Sequence, residues 1–206
     1  MKKVVLIGGA PTSGKSYLAR KMSESLKLPW ISTDVVREWM RKISDLTKYP
    51  ELSRFTYEEG AAERYLTTHS PEKIVEEQNI ESVDVWKGVG ALIEADYVWT
   101  NFIVEGVAVL PKLVSEAKFE GTEIKPIFLI EENEERIRDI VYKRGLWDDA
   151  NKYPDSVKDI EIKWASLFNK WIKSEADKYG YRRVIIDNEN NYVEKVIQEI
   201  AKWINN

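Results

Sequence analysis

Gly9-Ala10-Pro11-Thr12-Ser13-Gly14-Lys15-Ser16 is a complete phosphate-binding loop of the form G-x-x-x-x-G-K-[ST]. The residues before it, Val4-Val5-Leu6-Ile7 ending in Gly8-Gly9, are a short apolar run that reads as a buried strand. Those after it, Tyr17 to Leu26, carry apolar residues at helical spacing. Strand, glycine loop and helix form the setting in which the motif works. Gly9, Thr12, Ser13 and Gly14 let successive backbone N–H groups turn inward around phosphate oxygens, and the helix opening near Tyr17 adds its positive end. In that setting Lys15 reaches the β- and γ-phosphates and the Ser16 hydroxyl holds Mg²⁺. The loop therefore calls for a nucleoside triphosphate.

A chain of 206 residues that is 43% hydrophobic can bury one good core, so residues 1–206 are expected to form one domain. Charged residues are abundant but nearly cancel, leaving a net charge of −4. That argues against a broad nucleic-acid or anionic-membrane surface. The absence of cysteine excludes disulfides and cysteine metal sites. Only a few apolar residues follow Met1-Lys2-Lys3 before the glycine loop, too few for a signal segment, and no apolar run approaches a membrane span. The expectation is a cytoplasmic protein. Eight tryptophans are present, and their helical spacing beside apolar residues predicts that most are core.

Five strand-like runs, Lys3–Gly8, Pro29–Ser32, Asn101–Glu105, Lys125–Ile130 and Arg182–Asp187, alternate with helical pattern. Short Val/Ile/Leu/Phe runs of this kind suit a parallel sheet covered on both faces, and the alternation predicts a doubly wound α/β fold with five parallel strands. Two helices are clear: one over about 159–178 with Gly180 at its end, and one with an apolar stripe from Val193 to Ile204. Ser70-Pro71 opens a further helix running towards Tyr97. Lys48-Tyr49-Pro50 and Glu59-Gly60 break the pattern upstream of it. The long excursion of about 35–100 reads as a helical insertion covering a substrate, and about 136–157 as a lid.

Ligands of open α/β sheets lie at the carboxyl ends of the strands. After the second strand comes Ser32-Thr33-Asp34-Val35-Val36-Arg37-Glu38. Asp34 there can accept the proton of an incoming hydroxyl, and Arg37, three residues on, can hold an anionic substrate group. Equally, Asp34 or Thr33 can simply cap the helix that follows. After the third strand, Phe102-Ile103-Val104-Glu105-Gly106 is an apolar run ending in an acid. This pattern places Glu105 to hold Mg²⁺ and Gly106 to let the backbone approach a ligand. Whether Asp34 or Glu105 is the base stays open. After the fourth strand, Arg136, Arg138 and Arg144 are clustered cations of the kind that neutralise a transferring phosphoryl group, with Arg136 and Arg144 the catalytic candidates. Pairing with Glu131, Glu132, Glu134 and Glu135 is the plain structural alternative. After the fifth strand, Asp187-Asn188-Glu189-Asn190-Asn191 is a polar turn; in related folds this loop lies beside the adenine ring, which makes Asn188 the candidate there, and it can equally be only a turn and helix cap. His69 reads as structural.

Taken together these pieces resemble the P-loop small-molecule kinases, most closely the 2-phosphoglycerate kinase group. The resemblance rests on Gly8 to Ser16, on Ile31-Ser32-Thr33-Asp34-Val35-Val36-Arg37-Glu38-Trp39-Met40-Arg41, on Gln78 with Trp86-Lys87-Gly88, and on Val104-Glu105-Gly106-Val107 with Pro111. It covers nearly the whole chain in order. Ala108 stands where that family typically carries histidine. The resemblance implies ATP- and Mg²⁺-dependent transfer to a hydroxyl of a small acidic metabolite received near Asp34 and Arg37. The zeta-toxin kinases of nucleotide sugars share the Asp and Glu-Gly pattern more distantly. A GTPase switch would need Asn-Lys-x-Asp and Asp-x-x-Gly segments, and neither occurs in place. A ring ATPase would need a further helical domain.

Overall fold

Strands β1 (Lys2–Gly9), β2 (Trp30–Ser32), β3 (Asn101–Glu105), β4 (Thr122–Ile130) and β5 (Arg183–Ile185) pair in parallel, in the order β2-β3-β1-β4-β5, in the computed structural model. The structure describes residues 1–54, 58–95, 98–146, 149–186 and 191–206. The expected α/β class and five parallel strands are found. β4 begins at Thr122 rather than Lys125, because Lys2 and Lys3 of β1 pair with Thr122 and Glu123. That amino-terminal end of the sheet is only half-buried, so its polar residues hide the strand from a reading of apolar runs.

Eight α-helices surround the sheet: α1 (Lys15–Leu26), α2 (Thr33–Ile43), α3 (Ala61–Thr68), α4 (Pro71–Ala95), α5 (Pro111–Glu116), α6 (Glu134–Arg144), α7 (Asp155–Lys178) and α8 (Asn191–Asn205). Side chains alternate across the central strands. Val5, Ile7, Ile103, Ile127 and Leu129 meet Leu18 and Met22 of α1 and Val196 and Ile200 of α8. Val4, Leu6, Phe102, Val104, Phe128 and Ile130 pack on the other face with Val89 and Ile93 of α4 and Phe168 and Ile172 of α7. Both faces are covered, which is why these strands read as continuous apolar runs. Among the described residues no helix is long and apolar enough to cross a membrane.

Of the tryptophans described, Trp164 is buried and Trp86, Trp99, Trp171 and Trp203 are partly buried against the core, as expected of most, while Trp30 and Trp39 are exposed. Helical spacing locates a stripe on a helix, but does not say how far a large ring reaches the edge of the core. His69 caps the end of α3 and stacks on Tyr65 at 4.2 Å, as a structural residue does.

Two glycines let α2 approach its neighbours. On α4, a Cβ at Gly88 would lie 2.4 Å from Met40 Sδ. Gly106, at φ +148°, has Thr33 in the place of a side chain, with Oγ1 only 1.8 Å from where a Cβ would sit. Here protein packing demands the glycine. Replacing Gly106 by alanine forces β3 and α2 apart and imposes a strained φ, a destabilisation of about 2–4 kcal/mol. Thermal denaturation of Gly106→Ala is expected to fall by roughly 5 °C or more.

Candidate active site

The loop after β1 carries two left-handed residues, Thr12 at φ 73° and Gly14 at φ 74°, and Gly14 is the N-cap of α1. A threonine held there stores on the order of 1–3 kcal/mol of backbone strain, which the surroundings must impose. Thr12 Oγ1 and Ser13 Oγ are buried without a hydrogen-bond partner, and Lys15 Nζ donates inward to the Ala10 carbonyl at 2.7 Å. A hydroxyl without a partner, a turned backbone and a buried ammonium fit a ligand rich in acceptor oxygens, such as a phosphate chain.

Sheet register brings the acid to this loop. Ile7 pairs with Glu105, so Glu105 ends β3 on the side facing α1. Ser16 Oγ donates to Glu105 Oε1 at 3.2 Å. Burial pushes the Glu105 carboxyl above its usual value against the opposing pull of Lys15, while burial pushes the Lys15 ammonium below its own. An anion beside Lys15 and a cation beside Glu105 would each favour the ionised form. Ser16 and Glu105 together offer the hard oxygen donors that suit Mg²⁺.

β2 feeds directly into α2. Ser32 is the N-cap and accepts from the Asp34 N–H at 3.2 Å, so neither Asp34 nor Thr33 is the cap. Asp34 lies within the first turn with its carboxylate outward, 3.2 Å from Arg37 Nη1. Arg37 Nε also donates to Glu38 Oε1 at 3.1 Å. One turn on, Arg41 donates to Glu38 at 2.9 Å, to the Leu52 carbonyl at 2.6 Å and to Glu81 Oε1 at 2.7 Å. Glu81, on α4, is buried, and its other oxygen is 3.8 Å from Arg37 Nη1. Burial pushes its carboxyl upward against the pull of both arginines.

A cleft of about 590 Å³ joins these groups. Its wall includes Thr12, Gly14, Lys15, Ser16, Tyr17, Asp34, Arg37, Glu105, Gly106, Arg136 and Arg144 of the residues the sequence singles out. Gly9 and Ser13 of the loop are not on this wall, and Asn188 falls outside the described residues. Arg136 and Arg144 differ in their surroundings: Arg136 Nε is 3.1 Å from the buried Glu131 carboxylate, the pairing that sequence left as the alternative for the arginines. Arg138 turns away to Asp159 at 3.2 Å. Glu131 is fixed in turn, its N–H donating to Asn169 and its Oε1 accepting from the Asn133 N–H, both at 2.9 Å.

The wall also includes Arg41 and Gln78, which the sequence resemblance contains without giving them a site role, and Glu81, Lys143 and Trp164. Arg41 has a signal, since it repeats Arg37 one turn later. Glu81 has none, because α4 carries many acids and nothing local tells which one turns inward.

Comparison with known proteins places this geometry. A 2-phosphoglycerate kinase of Methanocaldococcus jannaschii is 31% identical over 144 residues, covering 69% of this chain and 46% of the relative. One from Methanothermobacter thermautotrophicus is 26% identical over 213 residues, covering 97% and 65%. The chain is a relative of the 2-phosphoglycerate kinases on the P-loop kinase fold. It spans about half to two thirds of the length of these curated relatives. The solved structure of TT1252 from Thermus thermophilus, 16% identical, matches 98% of this chain and 97% of its own with a TM-score of 0.54, a likeness of fold. No protein-family model matches the sequence.

In this P-loop kinase relative Glu131 gives a direct test of the buried charges. Burial raises its carboxyl pKa above the unfolded value of 4.5. The folded state therefore binds more protons than the unfolded one just above that value, and this group's contribution to stability falls as pH rises through the window. Glu131→Gln keeps an acceptor for Asn133 and removes the charge. Its melting temperature is expected to match or exceed that of the natural chain at pH 7, with the difference shrinking towards pH 4.5. A lower value at pH 7 would make the Arg136 pairing the dominant effect.

Proposed function

We propose that this chain is a kinase that transfers the γ-phosphoryl group of ATP to a hydroxyl of a small anionic metabolite. The observation that supports this most is a single cleft that two chemically different groups of residues share. The phosphate loop and the Ser16–Glu105 pair line it, and so do Asp34, Arg37, Arg41 and Glu81. The names of the relatives favour the same reading.

In this reading the loop from Gly9 to Ser16 and the α1 N-terminus hold the phosphates through backbone N–H groups. Lys15, Arg136 and Arg144 balance the charge that spreads over the oxygens of the transferring group. Mg²⁺, when bound, would be held by Ser16 and Glu105 and would neutralise phosphate charge. The acceptor oxygen forms a bond to the γ-phosphorus as the bond to the bridging oxygen breaks, and the nucleoside diphosphate leaves with that electron pair. Asp34 takes the hydroxyl proton. The segment of α2, α3 and α4 covers the acceptor, and α6 with the residues after it acts as the lid.

Lys15→Ala removes the charge that meets the phosphates. The transfer rate is expected to fall at least ~100-fold, about 3 kcal/mol in the barrier, with the fold intact by circular dichroism. A rate within threefold of the natural chain would count against the phosphate-loop role. Asp34→Asn preserves shape and removes the base. A loss of ~10²-fold in kcat, with affinity for an ATP analogue nearly unchanged by calorimetry, is the expected outcome. An unchanged kcat would remove Asp34 from the chemistry.

A further inference from the structure

Helix α2 has one apolar face that the described residues leave uncovered. Val35, Trp39 and Ile43 stand four residues apart, so they form a single stripe along the helix. They are 41, 56 and 84% exposed, while Val36 and Met40 beside them are buried in the core. Single apolar residues on a surface are ordinary, but an aligned aromatic and two aliphatics make a patch. None of the three lines the cleft, whose α2 residues are Asp34, Arg37 and Arg41.

The three residues expose roughly 350 Å² between them. That is more than half of the apolar area, about 500 Å², that one partner gives to a homodimer interface of standard size. The stripe is also symmetric. Trp39 sits midway between Val35 and Ile43, so reversing the helix about Trp39 exchanges one aliphatic for the other and returns the same pattern. A face of that kind matches itself.

Its charged border has the same property. Glu38 and Lys42 flank the stripe on one side, about 100° and about 60° around the helix from Trp39. In an antiparallel pair related by a two-fold axis at Trp39, this border meets the same border of the second copy. Lys42 of one copy then comes level with Val36 of the other, two residues or about 3 Å along the axis from Glu38. Lys42 makes no ion pair with a described residue, and the Glu38 side chain keeps 37% exposure beyond its pairs with Arg37 and Arg41. Opposed helix dipoles favour the same arrangement. A parallel pair would bring the border against the side where Val36 and Met40 are already buried.

We infer that the outer face of α2 docks a second copy of this chain, antiparallel across a two-fold axis at Trp39, with Val35 of each copy against Ile43 of the other. The cleft, lined from the other side of α2, stays open in both copies.

Sedimentation equilibrium of the full chain from about 1 to about 200 µM tests the docking. A reversible equilibrium between the chain mass and twice that mass is expected. Ile43→Asp places a charge in the stripe at an exposed position and should weaken the dimer at least tenfold, with the circular dichroism spectrum unchanged. Lys42→Glu sets a like charge beside Glu38 of the second copy and should weaken it at least threefold, an effect that shrinks in ~1 M salt. The chain has no cysteine, so introduced thiols report the register under oxidised glutathione. An equal mixture of Val35→Cys and Ile43→Cys chains should form disulfide-linked dimers several times faster than either chain alone, because like positions stand about 12 Å apart along the axis. A chain that stays monomeric throughout the range, or that passes directly to larger assemblies, would overturn the inference. So would a dimer that the folded charge variants leave intact, or equal cross-linking by the mixture and by either chain alone.

Discussion

The pairing of β1 with β3 is the constraint on which the site depends. Because Ile7 stands beside Glu105, the acid ends its strand just where the phosphate loop leaves the neighbouring strand. A slip of one residue would turn every side chain of β3 to the opposite face, carrying Glu105 away from Ser16 and Ile103 out of its core. The apolar faces forbid that slip, since Ile103 and the pair Phe102 and Val104 belong to different halves of the core. Hydrophobic burial thus fixes the position of a charged group that burial itself disfavours.

That conflict recurs through the cleft. Glu81, Glu105 and Glu131 are buried carboxylates and Lys15 a buried ammonium, each pushed towards its neutral form. Groups in such positions reduce stability unless each is matched by a partner, and in matching they acquire fixed geometry. Glu131 aims Arg136, and Glu81 joins Arg37 to Arg41. The cleft wall is therefore most constrained at the buried Lys15, Glu131 and Glu81, and least at the exposed Asp34.

The helical cover is attached by the same chemistry. α4 turns three acids inward, Glu77, Glu81 and Asp84. Glu77 pairs with Arg54 at 3.0 Å and with the Tyr65 hydroxyl, and Asp84 with Lys87 at 2.7 Å. Beneath them Gly88 admits Met40 and Val36, so a small apolar contact underlies a charged one. Charged contacts give less net stability than an apolar interface of equal area, but they fix which side chains face each other.

Much of this is legible in the residues. Apolar runs of a few residues, separated by helical pattern and opened by a glycine loop, dictate the parallel sheet, because only strands buried on both faces read that way. The loop places Lys15 and Ser16, and the acid ending the third run marks Glu105. Local pattern stops where contacts cross between elements. The cap of α2 is Ser32 because the chain leaves β2 one residue earlier than the acid suggests. β4 extends to Thr122 because β1 offers partners to polar residues, and the tryptophans lie at the edges of the core because ring position depends on what packs above. Glu81 is the clearest case. Its own neighbours on α4 are as acidic as it is, and only the packing of α4 against α2, forty residues away in sequence, selects it to meet Arg41. The sequence alone determined the fold class and the glycine loop from Gly9 to Ser16, whose residues are adjacent in the chain. The tertiary structure decided the cluster of Arg37, Arg41 and Glu81, because its charges come from helices that meet only when the core has closed.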